Sequence, residues 1–134
     1  MKCNRQAWHS QTHYFLFQKK HLSLAKEEGS DEEQEKAHTQ LGRLYCDLFQ
    51  KTSDISHLES AEENINKAYE LAEEAVKHGC KDSQRTLAGA ACNKGVLCRD
   101  LDDHGGAMKY LQQSLKVSFS GEPSGKPSSN NTCY

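Results

Sequence analysis

Between Leu87 and Leu115, in LAGAACNKGVLCRDLDDHGGAMKYLQQSL, small and apolar residues fall at the offsets that two close antiparallel helices need. Gly95 is followed by Ala107 twelve residues later, by Leu111 after four more and by Ser114 after three. A glycine at position 95 lets one helix backbone approach another, because no Cβ stands in the way. Ala107 then sits at the close crossing, while Leu111 and Leu115 fill the groove beside it. Leu101 ends the first helix, and Asp102-Asp103-His104-Gly105-Gly106 forms the turn into the second.

The pattern resembles a tetratricopeptide repeat, a helix–turn–helix unit of about 34 residues that stacks into a solenoid. The expected fold is therefore all-α, with antiparallel helix pairs forming a short right-handed solenoid and a disordered C-terminal tail. The apolar periodicity predicts helices over 11–28, 32–49, 56–78, 81–101 and 106–118. Ser30 or Asp31 is the expected N-cap of the second helix, and Gly79 the stop of the third. The first three helices carry core stripes: Phe15, Leu16, Leu22, Leu24 and Ala25, then Ala37, Leu41, Leu44, Tyr45 and Leu48, then Ala61, Ile65, Ala68, Leu71, Ala72 and Ala75. Glu59, Glu62, Glu63, Glu70, Glu73 and Glu74 mark a solvated face of the third. Residues 1–10 read as an extension, 11–117 as the helical repeat domain and 118–134 as the tail. That last stretch holds both prolines of the chain and is rich in Ser, Gly and Asn, so it cannot bury enough apolar surface to offset its ordering entropy.

A second, less regular pair repeats the first. Gly42 with Tyr45, then Ala61, Ile65 and Ala68, mirrors Gly95 with Cys98, then Ala107, Leu111 and Ser114. Gly42 to Ala61 spans 19 residues where Gly95 to Ala107 spans 12, which places seven extra residues in the inter-helix turn, a loop over 51–56. Each unit of such an array covers its neighbour's apolar face, and three or more are usual. Two pairs and a leading helix read as a piece of a longer array, or as one whose uncapped ends self-associate.

Composition agrees with a surface-rich helical protein: 35% hydrophobic and 27% charged residues, at a net charge of −2. Nothing in that balance calls for nucleic acid. No apolar run reaches the roughly 20 residues of a membrane span, and the N-terminus lacks the apolar core of a signal peptide. An intracellular protein is expected. The six cysteines form no C-x-x-C pair and read as small buried hydrophobes rather than as a zinc site or disulfide framework.

Residues 17–49, FQKKHLSLAKEEGSDEEQEKAHTQLGRLYCDLF, followed by 59–75, ESAEENINKAYELAEEA, are similar to the repeat region of Tonsoku and Tonsoku-like proteins. Phe17–Leu22, Thr39–Arg43 with Tyr45, and Ala68–Ala72 carry the family's motifs in order, over about residues 15–117. The enlarged inter-helix turn is also a family feature. The resemblance implies a nuclear scaffold acting at replication forks and in recombination repair. Histone binding, attributed there to ankyrin repeats, attaches to no residue of this chain. A second resemblance, sharing a K-x-H-L-x-L-A helix style, is to the more regular repeats of G-protein signalling modulators that orient mitotic spindles.

In repeats of this class the first helix of each pair lines a concave groove that holds a partner protein. The corresponding residues are Lys36, Thr39, Gln40 and Arg43, then Cys92, Asn93, Val96 and Arg99. Asn93 occupies the place where such repeats often bond an extended peptide's backbone, and the two arginines offer planar donors to carboxylates. Singly, each also reads as an ordinary solvated helix residue.

No catalytic residue, metal ligand set or cofactor motif is expected. His9 and His13 share an i, i+4 spacing but lack the Glu of a zinc-protease motif. Ser124-Gly125-Lys126 follows no strand, and Asn130-Asn131-Thr132 is a glycosylation sequon only in a secreted chain. No nucleophile elbow or Gly-rich phosphate loop marks an enzyme.

Overall fold

The computed structural model describes residues 5–120, with side chains over 12–116. Five helices follow in order: α1 (Arg5–Glu28), α2 (Asp31–Thr52), α3 (Ile55–Lys77), α4 (Ser83–Asp100) and α5 (His104–Ser120). No strand occurs among the described residues. Helix α1 begins six residues before the expected start, so Arg5–Ser10 is helical. Helix α5 likewise continues through Ser118–Ser120, and the rest of the expected tail lies outside the described residues.

The connections are short because the chain supplies residues suited to each stop. Gly29 and Gly79 adopt left-handed φ values of 71° and 68°, which glycine reaches without steric cost. Beyond them the amides of Ser30 and Cys80 donate to the carbonyls of Ala25 and Ala75, each at 3.0 Å. Ser30 then caps α2, its hydroxyl accepting from the Glu33 amide at 3.3 Å. Asp102 turns the end of α4 at φ 64°. The Asp103 carboxylate accepts the Gly106 amide at 2.9 Å, so α5 starts two residues earlier than expected and takes both glycines into its first turn. A Cβ at Gly106 would meet the Asp103 carboxylate and, at 3.0 Å, the Cys98 sulfur.

The seven extra residues of the first pair are not in its turn. Only Ser53 and Asp54 separate α2 from α3, where Leu101–Asp103 separates α4 from α5. Instead α2 runs on to Thr52, ten residues past Gly42, whereas α4 stops five past Gly95; α3 also starts six residues before Ala61, against three from His104 to Ala107. Seven residues are close to two turns at 3.6 residues each. Shared between the two helices, they lengthen the hairpin and leave its buried face in register.

Each helix packs antiparallel on the next in sequence, and α2 also meets α4. The two pairs close on the predicted glycines. A Cβ at Gly42 would come within 2.5 Å of Ile65 Cγ1, and one at Gly95 within 2.8 Å of Leu111 Cγ and 3.3 Å of the Ala107 carbonyl oxygen. Cys46, Leu58, Ala61, Ile65 and Leu97 form one core cluster, and Tyr69, Ala72, Leu87, Ala90 and Ala91 a second. Burial of a side chain such as Ile65 or Leu97 stabilises by about 1.5–3 kcal/mol. Between α3, α4 and α5 the Lys94 ammonium lies 4.5 Å from the Tyr69 ring centre and 4.8 Å from that of Tyr110. Gln113 donates to the Tyr69 hydroxyl at 2.7 Å.

Helix α1 is held on α2 by more polar contacts. Tyr14 donates to Gln40 at 3.2 Å, a His21 ring nitrogen lies 2.8 Å from Glu33, and Phe15 meets Tyr45 edge to face at 4.8 Å. The expected core stripe of α1 is only partly buried: Ala25 is enclosed, but Leu16 and Leu24 face outward. Leu115, expected in the groove beside Gly95, is 60% exposed. The predicted solvated glutamates of α3 are all exposed. The described free cysteines are Cys46, Cys80 and Cys98. Cys92 is disulfide-bonded, so the reading of all six cysteines as plain small hydrophobes fails there.

Candidate protein-binding groove

The expected groove residues separate into three settings. Lys36 is exposed near the start of α2, with its ammonium 3.5 Å from Glu32 and 3.7 Å from Glu33. Thr39, half-buried, donates its hydroxyl to Glu35 at 2.9 Å. Gln40 accepts from both Tyr14 and Arg43, at 3.2 and 3.5 Å, so α1 already engages this position. On α4, Arg99 is exposed and lies 3.6 Å from Asp100, and Val96 is half-buried. Cys92 and Asn93 are instead buried. Asn93 therefore presents little surface to an extended peptide, because the helix turns that position inward.

Helices α2 and α4 come together near Cys46. Burial pushes the Cys46 thiol up to about 11, and the neighbouring carboxylates Asp100 and Asp47 add to the shift while Arg99 opposes it. Such a thiol is a packed, unreactive group. Burial likewise raises the Cys98 thiol. One oxygen of Asp100 is buried without a hydrogen-bond partner, as is Asn66 Oδ1.

At the other end of the same helices a cavity of about 220 Å³ opens. Asp31, Glu32, Glu35 and Lys36 reach it from α2, and Leu71, Glu74, Ala75 and His78 from α3. The entry to α4 supplies Cys80–Ser83 and Thr86. Of the expected groove residues only Lys36 lines it. Glu35 is the most enclosed of its acids, and burial raises its carboxyl above the ordinary 4.5, with a smaller upward push from Glu32. Asp82 stands at the N-cap of α4 in a left-handed conformation, and its side chain makes no capping hydrogen bond. The sequence hint to this cavity is slight: Glu35 and Thr39 form an i, i+4 polar pair next to the buried stripe, while the other walls arrive from distant segments.

Among the described residues no group of His, Cys, Asp and Glu is placed to hold a metal ion, and no helix is long and apolar enough to cross a membrane. The side chain of His9, Ser124–Lys126 and the sequon at Asn130 lie outside the described residues. No family model, no curated protein and no solved structure matches the chain.

Proposed function

We propose that this chain is a protein–protein interaction scaffold of tetratricopeptide type, which docks a partner segment across the side where α2 and α4 meet. The observation that carries the reading is the repeated close approach, Gly42 against Ile65 and Gly95 against Leu111, in two successive helix pairs whose first helices touch. Stacked pairs of this sort present first helices side by side and so make an extended surface rather than a closed pocket. Partners are read there by side chains on a rigid frame, with Lys36, Arg43 and Arg99 as the cationic contributors. By its resemblance to Tonsoku-like proteins over residues 15–117, the chain works in the nucleus on a replication-fork or recombination-repair partner. The longer α2–α3 hairpin stands where that family has an enlarged turn, which weakens this one point of likeness. Adaptor repeats of the G-protein signalling modulators are the competing family.

The test is a pull-down from nuclear extract with the full chain and with its Arg43→Glu/Arg99→Glu variant. Proteins retained by the first and lost by the second, at unchanged helical circular dichroism, support docking on this side. Equal retention by both overturns it. A second reading, association of copies through the ends, is favoured by the exposed apolar residues of α1 and α5.

A further inference from the structure

We propose that the disulfide of Cys92 is a redox latch, which ties residues 121–134 through Cys133 across the α4 side of the groove and keeps a partner out until it is reduced. This rests on the scaffold reading and names what regulates that same site. Cys92 is disulfide-bonded, while Cys46, Cys80 and Cys98 are free. Of the six cysteines, Cys3 and Cys133 are left as the other half of the bond. The helix positions select between them. Phe15 meets Tyr45 edge to face, and α1 starts at Arg5, about 15 Å further along the axis. Cys46, beside Tyr45, shares a core cluster with Leu97, and Cys92 lies about 7 Å back from Leu97 in the opposite direction. Cys3 would have to cross about 20 Å with the roughly 7 Å that two residues span, and α1 makes no contact with α4. Cys133 follows Ser120 by thirteen residues, enough to span up to about 43 Å. Because Ser114 donates to the Ala88 carbonyl at 2.8 Å, the end of α5 lies only about 15 Å along the axis from Cys92.

Exposure along α4 places the tied segment on the groove. Arg85, Cys92, Val96 and Arg99 recur at steps of seven, four and three residues, which is one helical stripe. Arg85 and Arg99 are exposed and Val96 is half-buried, yet Cys92 between them is only 8% exposed. A covered side chain in the middle of an open stripe marks where the bonded segment lies. Arg99 is also a cation of the proposed docking side, so a segment seated beside it competes with the partner. The bond opens by exchange with a dithiol reductant. A thiolate of the reductant attacks one sulfur, the other leaves and takes a proton, and the second thiol resolves the mixed disulfide. Two electrons and two protons pass to Cys92 and Cys133, and the reductant closes its own disulfide. In a reducing compartment such a bond is transient and senses redox state, which leaves the groove open there and closed under oxidation.

The test begins with the full chain purified without reductant, its free thiols alkylated, and the product cut with trypsin. The expected species is peptide 86–94 linked to peptide 117–134, lost on reduction. A link from 86–94 to 3–5, or Cys92 recovered as an alkylated thiol, overturns the latch. Pull-downs from nuclear extract then compare the unreduced wild type with the same chain reduced by a dithiol and with Cys133→Ser, which cannot close the bond. At equal helical circular dichroism, the two open forms are expected to retain severalfold more of the proteins that Arg43→Glu/Arg99→Glu loses. Cys3→Ser should behave as wild type in both redox states. Equal retention by closed and open forms overturns the latch and leaves the scaffold reading standing. Open forms that retain nothing beyond what Arg43→Glu/Arg99→Glu retains overturn the scaffold reading, and the gating of that side falls with it.

Discussion

At the scale of single residues, His38 shows how a buried polar group links this fold to pH. Its Nδ1 donates to Asn64 Oδ1 at 3.0 Å, an acceptor fixed by the Asn64 amide donating to the Ser60 carbonyl at 2.9 Å. The other ring nitrogen is buried without a partner, so a second proton there would be a charge without a hydrogen bond. Burial lowers the His38 pKa from the ordinary 6.5 against the raising effect of the Asn64 bond; Lys26 and Lys67 lower it further, and Glu63 opposes them. Below 6.5 the unfolded chain binds a proton that the folded chain refuses, so stability contributed by neutral His38 is present above that pH and lost as pH falls. Glu35, raised by burial, acts in the opposite sense above 4.5. Comparison of wild type with His38→Gln isolates the histidine, because the Glu35 contribution is common to both. Wild type is expected to lose urea stability between about pH 7 and pH 5, and His38→Gln to lose distinctly less over the same window. Parallel pH profiles would show that His38 titrates as it does in the unfolded chain.

Pairs of helices are fixed by how closely their backbones approach, and two glycines of α4 separate that effect from helix propensity. A Cβ at Gly95 runs into Leu111 and the Ala107 backbone, while one at Gly89 meets nothing within 4 Å. Alanine in a helix interior gains about 1 kcal/mol over glycine, whereas overpacking costs about 1–3 kcal/mol. Gly89→Ala is therefore expected to raise the thermal midpoint and Gly95→Ala to lower it. A rise at both positions would mean that the α4–α5 crossing is looser than the geometry implies. The crossing was legible in the sequence because a missing side chain and its apolar partners recur at helical offsets. The extra seven residues were legible only as a length. Two turns of helix keep the apolar face in register, so the pattern cannot say whether they lie in the turn or in the helices. The cavity was barely legible: Glu35 on α2, Leu71 on α3 and Asp82 at the entry to α4 are gathered only by packing. Asn93 is buried for a related reason, since its place in a family pattern says less about exposure than the rotation of α4 does.

Over the whole molecule the apolar surface is complete between the helix pairs and unfinished at both ends. Leu115 follows Leu111 by four residues, as Tyr69 follows Ile65, so the two occupy matching positions on α5 and α3. Tyr69 is only 8% exposed because α4 lays Leu87, Ala90 and Ala91 against its face. No described helix follows α5, and Met108 and Leu115 stay 58% and 60% exposed. Leu16 and Phe17 are left open in the same way on α1, at 60% and 64%. Contiguous apolar surface of this kind marks an interaction site in a folded protein. The chain is therefore expected to associate as its concentration rises, with a mass by size-exclusion and light scattering that moves above that of one copy. Met108→Glu/Leu115→Glu at one end, or Leu16→Glu/Phe17→Glu at the other, should return it to single copies. Because these side chains are already in water, the same substitutions should leave the thermal midpoint of the single copy within about 0.5 kcal/mol of wild type. Association that survives both pairs of substitutions would place the contact elsewhere, and a large fall in the midpoint would mean that these faces are covered within one chain.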